Sequence, residues 1–540
     1  MAVSVPARVV MKSPLDVLNS YRPHDGTLHD AFLSRCAVQA DEPFLIQGEV
    51  RWSWREFGER YERLAHALAA RGIGRGMRVA VAGRNDKAHV LALFALARLG
   101  AIMVPVNPEF GPREMDYALR HADVQGILAE ARLLELIRPI ADEFAARPWL
   151  MVIDAPEADP DSLAAALRHP AAGAPLPAPA SSDTCVIIYT SGTTGFPKGV
   201  MHSQYNLVTA GEANVARVHL QPDDRVMIIL PFFHMNALFY SVGGVLASGA
   251  CMIVVPRFSA SAFWQVAADN GATVVNIIEA IGTILASRDR GEYRPDHRLR
   301  VVYGVRRKSA PVFRDEFGVR HLFSGFGMTE IPGVTCNPYD GPDKPGSMGV
   351  VASHPDPARP WARCRVVDDA GRDVGVDEVG ELWVATPIVM QGYFRDPGQT
   401  RQAFDGEWLK TGDLVRRDAD GFFFHISRKK DIIRRRGENI AAAELEMVVN
   451  EHPAVFEAAA LAVPSELGED EILMVVAPRP GATLAEADIA AWCRERLAAI
   501  KVPRYVALLP ELPHTPTHKI AKNVLRDDPA VKARTVDLQA

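Results

Sequence analysis

Residues 189–200 read Tyr-Thr-Ser-Gly-Thr-Thr-Gly-Phe-Pro-Lys-Gly-Val, and this stretch says more about the chain than any other. The apolar, β-branched segment at 185–189 predicts a buried strand leading into it. Glycines and hydroxyls at a strand end expose backbone N–H groups, which bind anions. The spacing is not that of a P-loop, because Gly-Val follows the lysine. We predict a phosphate-binding loop, with a flexible surface loop as the alternative. The candidate ligands are Thr190, Ser191, Gly192, Thr193, Thr194, Gly195 and Lys198.

The composition is that of an ordinary globular chain. Its 540 residues are enough for several domains, and 48% of them are hydrophobic and 23% charged. A net charge of −6 gives no reason to expect a nucleic-acid partner. The six cysteines are scattered, without the spacing of a zinc site or a disulfide framework. They are typical of small core residues in a reducing compartment.

The sequence predicts neither a secretion signal nor an integral membrane segment, so we expect a cytoplasmic location. The N-terminal residues lack a long apolar run. The longest uncharged stretch, 235–256, is interrupted by Gly243, Gly244 and Gly249. It predicts a helix followed by a short buried strand at 250–255 rather than a membrane span.

Helical and strand-like periodicities alternate over the first 150 residues, which predicts an α/β fold with a parallel or mixed sheet. The alternation resumes after the glycine-rich loop. From residue 363 onwards, short segments of period two predict a small antiparallel β unit, and the last hundred residues predict a compact α+β unit. Helices are predicted at 57–70, 87–99, 441–451 and 486–499, and strands at 78–82, 101–106, 225–230, 273–278, 300–303, 380–385, 456–463 and 471–477.

A basic stretch at 427–437 separates the last two units. A solvated charged face is the default interpretation of such a run. A nucleic-acid patch is a weak alternative, because no aromatic residues are interleaved with the charges. The third interpretation is a hinge between domains that carries one cation to the phosphate site.

Six motifs in this order resemble the adenylate-forming superfamily, which includes acyl-CoA synthetases, aryl-CoA ligases, adenylation domains and luciferases. The resemblance covers roughly residues 30 to 525. It rests on the stretch at 189–200, Leu-Pro-Phe-Phe-His at 230–234, Phe-Gly-Met-Thr-Glu at 326–330, Lys-Thr-Gly-Asp at 410–413, Ser-Arg-Lys-Lys-Asp-Ile-Ile at 427–433 and Pro-Thr-His-Lys at 516–519.

The resemblance implies an ATP- and Mg²⁺-dependent acyl-CoA synthetase. A small carboxylic acid and ATP would give an acyl-adenylate and pyrophosphate, and coenzyme A would then displace AMP to give a thioester. An attack of one anion on another needs positive charge and N–H donors in the site. The family assigns the β- and γ-phosphates to the loop from Thr190 to Lys198.

The resemblance also assigns the rest of the ATP site. Glu330 would hold Mg²⁺, and Thr329 would place a hydroxyl near the α-phosphate. Phe326, followed by Gly327 and Met328, would stack on adenine; the alternative is a core aromatic. Asp413 would accept both ribose hydroxyls, which Arg428 would also reach; the alternative for Asp413 is a turn residue.

The implied fold is a large multi-sheet α/β N-terminal domain with a small β unit, at 1–427, and a small mobile α+β domain at 428–540. Lys519 would bridge the carboxylate and the α-phosphate during adenylation. Lys430 matches the family's hinge position. The rotation there would withdraw Lys519 and bring forward the coenzyme A route at Gly437, Glu438 and Asn439.

The predicted acyl pocket has three candidate residues, His234, Glu279 and Gly325. His234 is equally well explained as a core histidine next to Phe232 and Phe233. A buried glutamate is costly unless it is paired, so Glu279 either pairs with Arg306 or Arg307 or faces a cationic or hydroxylated substrate.

The chain departs from the family pattern in three places. Ala442-Ala443 precedes Glu444 where the helix after the hinge usually has a proline, which costs little. Arg306, Arg307 and Lys308 stand where a Gly-Gly-Ala-Pro type segment usually lines the adenine, and His518 replaces the usual glycine before the final lysine. Several stretches look most like carnitine/crotonobetaine–CoA ligases, which leaves the substrate among carnitine-type and short or medium-chain acids.

Two rival functions stay open on the sequence alone. One is an acyl-AMP ligase that delivers to a carrier protein, although no carrier domain is fused here. The other is a nucleotide-binding regulator that has lost catalysis, against which Lys198, Glu330 and Lys519 argue. A homodimer is compatible with the resemblance.

Overall fold

The computed structural model describes residues 11–170, 175–190, 197–305, 309–359, 361–435, 438–464, 470–515 and 520–538, without the side chains of Lys430, Glu438 and Asn439. Helices and strands alternate along most of the chain, and the predicted mixed α/β class is confirmed. The chain divides into two compact units, residues 1–363 with 385–407 and residues 364–384 with 408–540.

The helices are numbered here in chain order. They are α1 Pro14–Asn19, α2 Leu28–Gln39, α3 Trp54–Ala70, α4 Lys87–Arg98, α5 Pro112–Ala122, α6 Leu134–Asp142, α7 Leu163–Ala166, α8 Gln204–Val218, α9 Gly243–Ser248, α10 Phe263–Asp269, α11 Glu279–Ser287, α12 Ala310–Asp315, α13 Pro397–Ala403, α14 Ala442–Asn450, α15 Glu486–Arg494, α16 Lys522–Asp527 and α17 Pro529–Arg534.

The strands follow the same numbering. They are β1 Pro43–Gln47, β2 Val50–Ser53, β3 Arg78–Ala82, β4 Ile102–Val106, β5 Gly126–Ala129, β6 Trp149–Val152, β7 Thr184–Thr190, β8 Lys198–Ser203, β9 Arg225–Ile228, β10 Cys251–Val254, β11 Val274–Asn276, β12 Val301–Tyr303, β13 His321–Phe323, β14 Gly325–Met328, β15 Ile331–Cys336, β16 Val350–Val351, β17 Arg363–Val367, β18 Val379–Ala385, β19 Gly392–Tyr393, β20 Phe404–Asp405, β21 Trp408–Arg417, β22 Phe423–Arg428, β23 Ile432–Arg435, β24 Glu438–Ala441, β25 Val455–Pro464, β26 Asp470–Pro478, β27 Tyr505–Leu508 and β28 Thr535–Asp537.

The first unit contains two seven-stranded sheets. One has the order β13-β12-β11-β9-β10-β1-β2 and is parallel apart from β2. The other has the order β19-β8-β7-β4-β3-β5-β6 and is parallel from β7 to β6, whereas β8 and β19 run antiparallel to their neighbours. A three-stranded antiparallel sheet, β14-β15-β16, carries the motif at 326–330.

Helices α3, α4 and α8 contribute to a core shared by both seven-stranded sheets. All but the two ends of α4 is buried, which explains its run of alanine, leucine and phenylalanine. Ser53 caps the N-terminus of helix α3, where its hydroxyl and the Glu56 carboxylate form a capping box. The other face of the second sheet packs on α5 and α6.

The second unit contains three groups of strands, one of which is the antiparallel pair β23-β24. Strands β18, β21 and β22 form an antiparallel sheet that carries Asp413 and Arg428. Strands β25, β26, β27 and β28 form a four-stranded sheet, with α14 and α15 on one face and α16 and α17 on the other. Packing thus groups residues 364–384 and 408–427 with the C-terminal part. The predicted domain boundary after residue 427 marks the point about which the C-terminal domain would rotate, and it stays a prediction.

Two sequence-based predictions are wrong in detail. The helix predicted at 486–499 ends at Arg494, and a separate 3₁₀ helix follows at Ala499–Lys501. The Arg435 guanidinium donates to the carbonyls of Ile500 (2.6 Å) and Val502 (2.9 Å) in and after that second segment. Two of the six free cysteines, Cys36 and Cys364, are partly exposed rather than in the core.

The stretch at 235–256 forms a π-helix (Asn236–Val242), then α9 and β10, which agrees with the predicted helix and strand. Across the described ranges, no helix has the length and apolar character needed to cross a membrane.

Candidate active site

The two ends of the predicted phosphate-binding motif, residues 189–200, face each other across a β-hairpin. Thr190 ends β7 and pairs with Lys198, which begins β8. The predicted ligands Ser191, Gly192, Thr193, Thr194 and Gly195 lie outside the described residues. The Lys198 ammonium lies 4.9 Å from the ring centroid of Tyr393, at cation–π distance.

The same tyrosine connects Lys198 with the predicted metal ligand. Glu330 is 7% exposed, and the Tyr393 hydroxyl donates to its Oε1 at 2.8 Å. The backbone N–H of Met390 donates to the Glu330 carbonyl oxygen at 2.8 Å, which fixes the main chain there. Tyr393 therefore fixes the orientation of the Glu330 carboxylate and at the same time packs against the lysine of the phosphate motif.

The surroundings of Glu330 fit Mg²⁺. Among the described residues, no three His, Cys, Asp or Glu side chains cluster as a metal site. Mg²⁺ is usually bound by one or two carboxylates together with phosphate oxygens and waters, so a single oriented carboxylate matches that ion.

A buried histidine holds the backbone of Thr329. His202 Nε2 lies 2.6 Å from the Thr329 carbonyl oxygen, and Asn206 Nδ2 donates to His202 Nδ1 at 3.0 Å. Burial lowers the pKa of His202 to about 4, so the ring is neutral near pH 7 and donates from Nε2. The Asn206 amide also donates to Val389, close to Tyr393 in the chain. This chain of hydrogen bonds fixes the turn that carries Thr329 and Glu330.

Sequence reasoning missed Tyr393, His202 and Asn206. The available signal in the sequence was the spacing of His202 and Asn206, which lie four residues apart just after the predicted phosphate-binding motif. Their partners are 127 and 183 residues further along the chain, so only the fold brings them together.

We expect Tyr393→Phe to lower acid-dependent turnover about tenfold, since hydrogen bonds to charged groups contribute about 1.5–3 kcal/mol. The phenyl ring keeps the packing against Lys198, so the loss isolates the hydroxyl that orients Glu330. The measurement is kcat over a Mg²⁺ titration. Tyr293→Phe is the control for loss of a tyrosine hydroxyl, because that hydroxyl donates to a backbone carbonyl, that of Phe317 at 3.1 Å, rather than to Glu330. A Mg²⁺ dependence identical to wild type would contradict the assignment.

Two glycines in β14 let tyrosine hydroxyls approach the strand. A Cβ at Gly325 would lie 2.5 Å from the Tyr303 hydroxyl oxygen, and one at Gly327 would lie 2.5 Å from the Tyr240 hydroxyl oxygen. Both contacts are too close for any other residue type. The adjacent Phe326 is 8% exposed, and its backbone N–H donates to the Thr335 hydroxyl. Its role in adenine stacking, and that of Met328, stays a prediction.

The other acyl-pocket candidates have local partners. The Ser309 hydroxyl donates to Glu279 Oε2 at 2.9 Å, and Glu279 begins α11, where an acidic side chain is favourable. Its predicted partners Arg306 and Arg307, like Lys308, lie outside the described residues. His234 is half-buried, lies against Phe233 and directly precedes the π-helix, an element frequent at functional sites.

Asp413 in the second unit is arranged as an acceptor with one oxygen engaged. It is 1% exposed and faces Arg428 across β21 and β22. Its Oδ1 accepts from Arg428 Nε at 2.8 Å and lies 3.1 Å from His425 Nε2. Within the described part of the chain, Oδ2 has no hydrogen-bond partner. A buried carboxylate with an unpartnered oxygen fits recognition of ribose hydroxyls.

The predicted hinge follows an anchored lysine. Lys429 Nζ lies 2.9 Å from Asp369 and 3.3 Å from Glu381, and the hydrogen bond with Asp369 raises the pKa of Lys429. The backbone of Lys430 lies in the same 3₁₀ turn, Lys429–Asp431. The chain is therefore fixed one residue before the predicted pivot.

The residues predicted for the coenzyme A route and for the bridging lysine lie within or next to stretches that are not among the described residues. Gly437 and Lys519 are outside it, whereas Glu438 and Asn439 begin β24. On either side of the segment that contains Lys519, His514 and Ile520 form a β-bridge. Lys522 pairs with Glu446 at 2.6 Å. These contacts fix the chain on both sides of Lys519.

Two family models match the chain, that of the AMP-binding enzymes over residues 32–394 and that of the AMP-binding enzyme C-terminal domain over residues 444–519. The sulfoacetate–CoA ligase of Cupriavidus necator is 33% identical over 92% of this chain and 96% of its own length. The crotonobetaine/carnitine–CoA ligase of Shigella flexneri is 28% identical over 88% and 93%. The crystal structure of ATP-bound MatB from Rhodopseudomonas palustris is 27% identical and covers 93% of this chain and 98% of that one, with a TM-score of 0.82.

The chain therefore belongs to the family of AMP-binding enzymes and to the adenylate-forming superfamily that its motifs resemble. Within that family it is an acid–thiol ligase of the AMP-forming acyl-CoA ligase class. ATP and coenzyme A are the co-substrates expected of this class. These similarities favour neither of the two rival functions, the acyl-AMP ligase that delivers to a carrier protein and the nucleotide-binding regulator that has lost catalysis.

Proposed function

We propose that this enzyme activates a short carboxylic acid that carries a second polar or charged group, through an acyl-adenylate, and transfers the acyl group to coenzyme A in the reducing environment of the cytoplasm. The observation that carries the proposal is the connection of Lys198 to Glu330 through Tyr393. Tyr393 contacts both Lys198, the proposed phosphate-binding cation, and the carboxylate of Glu330.

In the first step, the acid's carboxylate oxygen attacks the α-phosphorus of ATP and pyrophosphate leaves. Lys198 and Thr190 bind the departing β- and γ-phosphates, and Thr329 donates to the α-phosphate. Glu330 would hold Mg²⁺, which when bound neutralises phosphate charge. Asp413 accepts the ribose hydroxyls through Oδ2, and Lys519 bridges the two reacting anions.

In the second step, the thiol of coenzyme A attacks the carbonyl carbon of the adenylate and AMP leaves. We propose that the chain pivots at Lys430 between the steps, with Lys429 held to Asp369 and Glu381. The route of the thiol passes Gly437, Glu438 and Asn439, and His234 lies next to the acyl group.

The proposed size of the acid follows from the tyrosines beside β14. Tyr303 and Tyr240 are edge-to-face with ring centroids 5.8 Å apart, and their hydroxyls reach Gly325 and Gly327. If the acyl group binds beside the candidate pocket residue Gly325, as we propose, these rings restrict the length of the chain that it can have. Two of the relatives are named for small acids with a second charged group, sulfoacetate and crotonobetaine or carnitine.

The test is pyrophosphate release over a panel of acids with ATP, Mg²⁺ and coenzyme A. The panel contains sulfoacetate, crotonobetaine, carnitine, short and medium-chain fatty acids and aryl acids. We expect the highest kcat/KM for a short polar acid. We also expect Tyr303→Ala to shift the kcat/KM preference towards longer acids by about tenfold. The reason is that each methylene of a longer acid that becomes buried contributes about 0.8 kcal/mol. A wild-type preference for medium-chain or aryl acids would overturn the size assignment. AMP release without thioester would indicate a different acceptor.

A further inference from the structure

Helix α5 lies on the outer face of the second seven-stranded sheet, and it does more than cover that sheet. Its apolar face buries Met115, Ala118, Leu119 and Ala122. Tyr117 and His121 are one turn apart, so they project from the same side of the helix. Their rings stack with centroids 5.2 Å apart.

These two side chains contact the chain near both ends of the predicted phosphate-binding motif. The Tyr117 hydroxyl donates to the carbonyl oxygen of Pro197 at 3.1 Å. His121 Nδ1 lies 2.8 Å from the Tyr189 hydroxyl. Tyr189 directly precedes Thr190, and Pro197 directly precedes Lys198. One helical turn therefore binds the chain next to each end of the phosphate motif.

The contacts are between neutral groups in a partly buried setting. Burial, followed by the nearby Arg395 charge, lowers the pKa of His121, and burial raises the pKa of Tyr189. Near pH 7 the Tyr189 hydroxyl is therefore protonated and the imidazole is uncharged. A third ring supports the pair, since Phe394 lies edge-on to His121 and its backbone N–H donates to Gly199 at 2.7 Å.

We propose that Tyr117 and His121 are positioning residues that set the separation of Thr190 and Lys198 before nucleotide binds. This rests on the proposed role of these two residues in binding the β- and γ-phosphates. Residues whose positions are fixed before binding do not have to be ordered by the nucleotide. The contacts of Tyr117 and His121 therefore lower the entropic cost of nucleotide binding. The benefit applies equally to the ground state and the transition state, so it affects affinity rather than kcat.

The test compares nucleotides with and without the outer phosphates. Titration calorimetry measures the affinity of the full chain for ATP, pyrophosphate and AMP, with Tyr117→Phe, His121→Phe and the double variant. For each single variant we expect a loss of about three- to tenfold for ATP and pyrophosphate, as for one hydrogen bond. AMP affinity, kcat and the KM for coenzyme A should stay within about twofold.

Tyr293→Phe is the matched control, because it removes a hydroxyl that also donates to a carbonyl at 3.1 Å. The phenylalanine variants keep the aromatic packing, and the thermal midpoint of unfolding checks that they fold. Three results would overturn the proposed positioning role of Tyr117 and His121. They are an unchanged ATP affinity in the double variant, an equal loss of AMP affinity, and an equal loss of ATP affinity in Tyr293→Phe. The binding assay needs no acid, whereas failure of the proposed function would appear as wild-type protein that forms no AMP from any acid.

Discussion

Lys519→Ala is expected to lower acid-dependent adenylation by at least about a hundredfold, as for loss of one preorganised charge contact in a transition state. Lys519 is proposed to bridge the carboxylate and the α-phosphate while two anions approach each other. Without that cation the repulsion between them is uncompensated in the transition state. The measurement is acid-dependent exchange of labelled pyrophosphate into ATP without coenzyme A.

The same variant should still form thioester from supplied acyl-adenylate and coenzyme A, because the bridging charge has no role once pyrophosphate has left. Lys532→Ala is the control, since it removes an exposed lysine from the same unit. Equal losses in both half-reactions would refute the assigned role. So would a Lys519→Ala enzyme that exchanges pyrophosphate at the wild-type rate.

Glu330→Gln is expected to lower Mg²⁺-dependent turnover by about a hundredfold or more. The amide keeps the shape of the side chain and can still accept from Tyr393. It removes the negative charge that a hard divalent cation requires. Turnover measured against Mg²⁺ concentration should show both a lower plateau and a higher half-saturating concentration.

Glu135→Gln, which neutralises an exposed carboxylate in the same unit, should leave that titration unchanged. A Glu330→Gln titration that coincides with wild type would remove Glu330 as the metal ligand. A larger loss for Glu330→Gln than for Tyr393→Phe is also expected, because Tyr393 only orients the carboxylate that the first substitution neutralises.

Local patterns in the sequence predict much of the fold. The strand before the phosphate motif, the buried helix α4 and the strands β25 and β26 were all expected, because each has a periodicity that its own residues carry. The helix predicted at 486–499 ends at Arg494, and Arg435, far away in sequence, binds carbonyls of the segment that follows, a contact that helical periodicity does not indicate. The π-helix at Asn236–Val242 has no signature in side-chain periodicity that separates it from an α-helix over so few residues.

The candidate site shows the same limit. Glu330, Asp413 and Arg428 could be named from motifs, but the groups that orient Glu330 and Thr329 could not. Tyr393 lies 63 residues from Glu330 in the chain, and His202 lies 127 residues from Thr329. For Glu279, the sequence did not indicate Ser309 as a partner, whereas the candidate partners Arg306 and Arg307 lie outside the described residues. Such partners are chosen by tertiary packing, which a single sequence does not specify.

The central claim is that the acid is activated as an adenylate. Its most direct test follows a heavy oxygen isotope from the carboxylate of the best acid in the panel, with ATP and coenzyme A, and determines the mass of the nucleotide product. In an acyl-adenylate the carboxylate oxygen that attacked the α-phosphorus stays on phosphorus when the thiol attacks the carbonyl carbon. The account predicts AMP that carries one heavy oxygen, together with unlabelled pyrophosphate. Unlabelled AMP, or ADP with labelled phosphate, would contradict it.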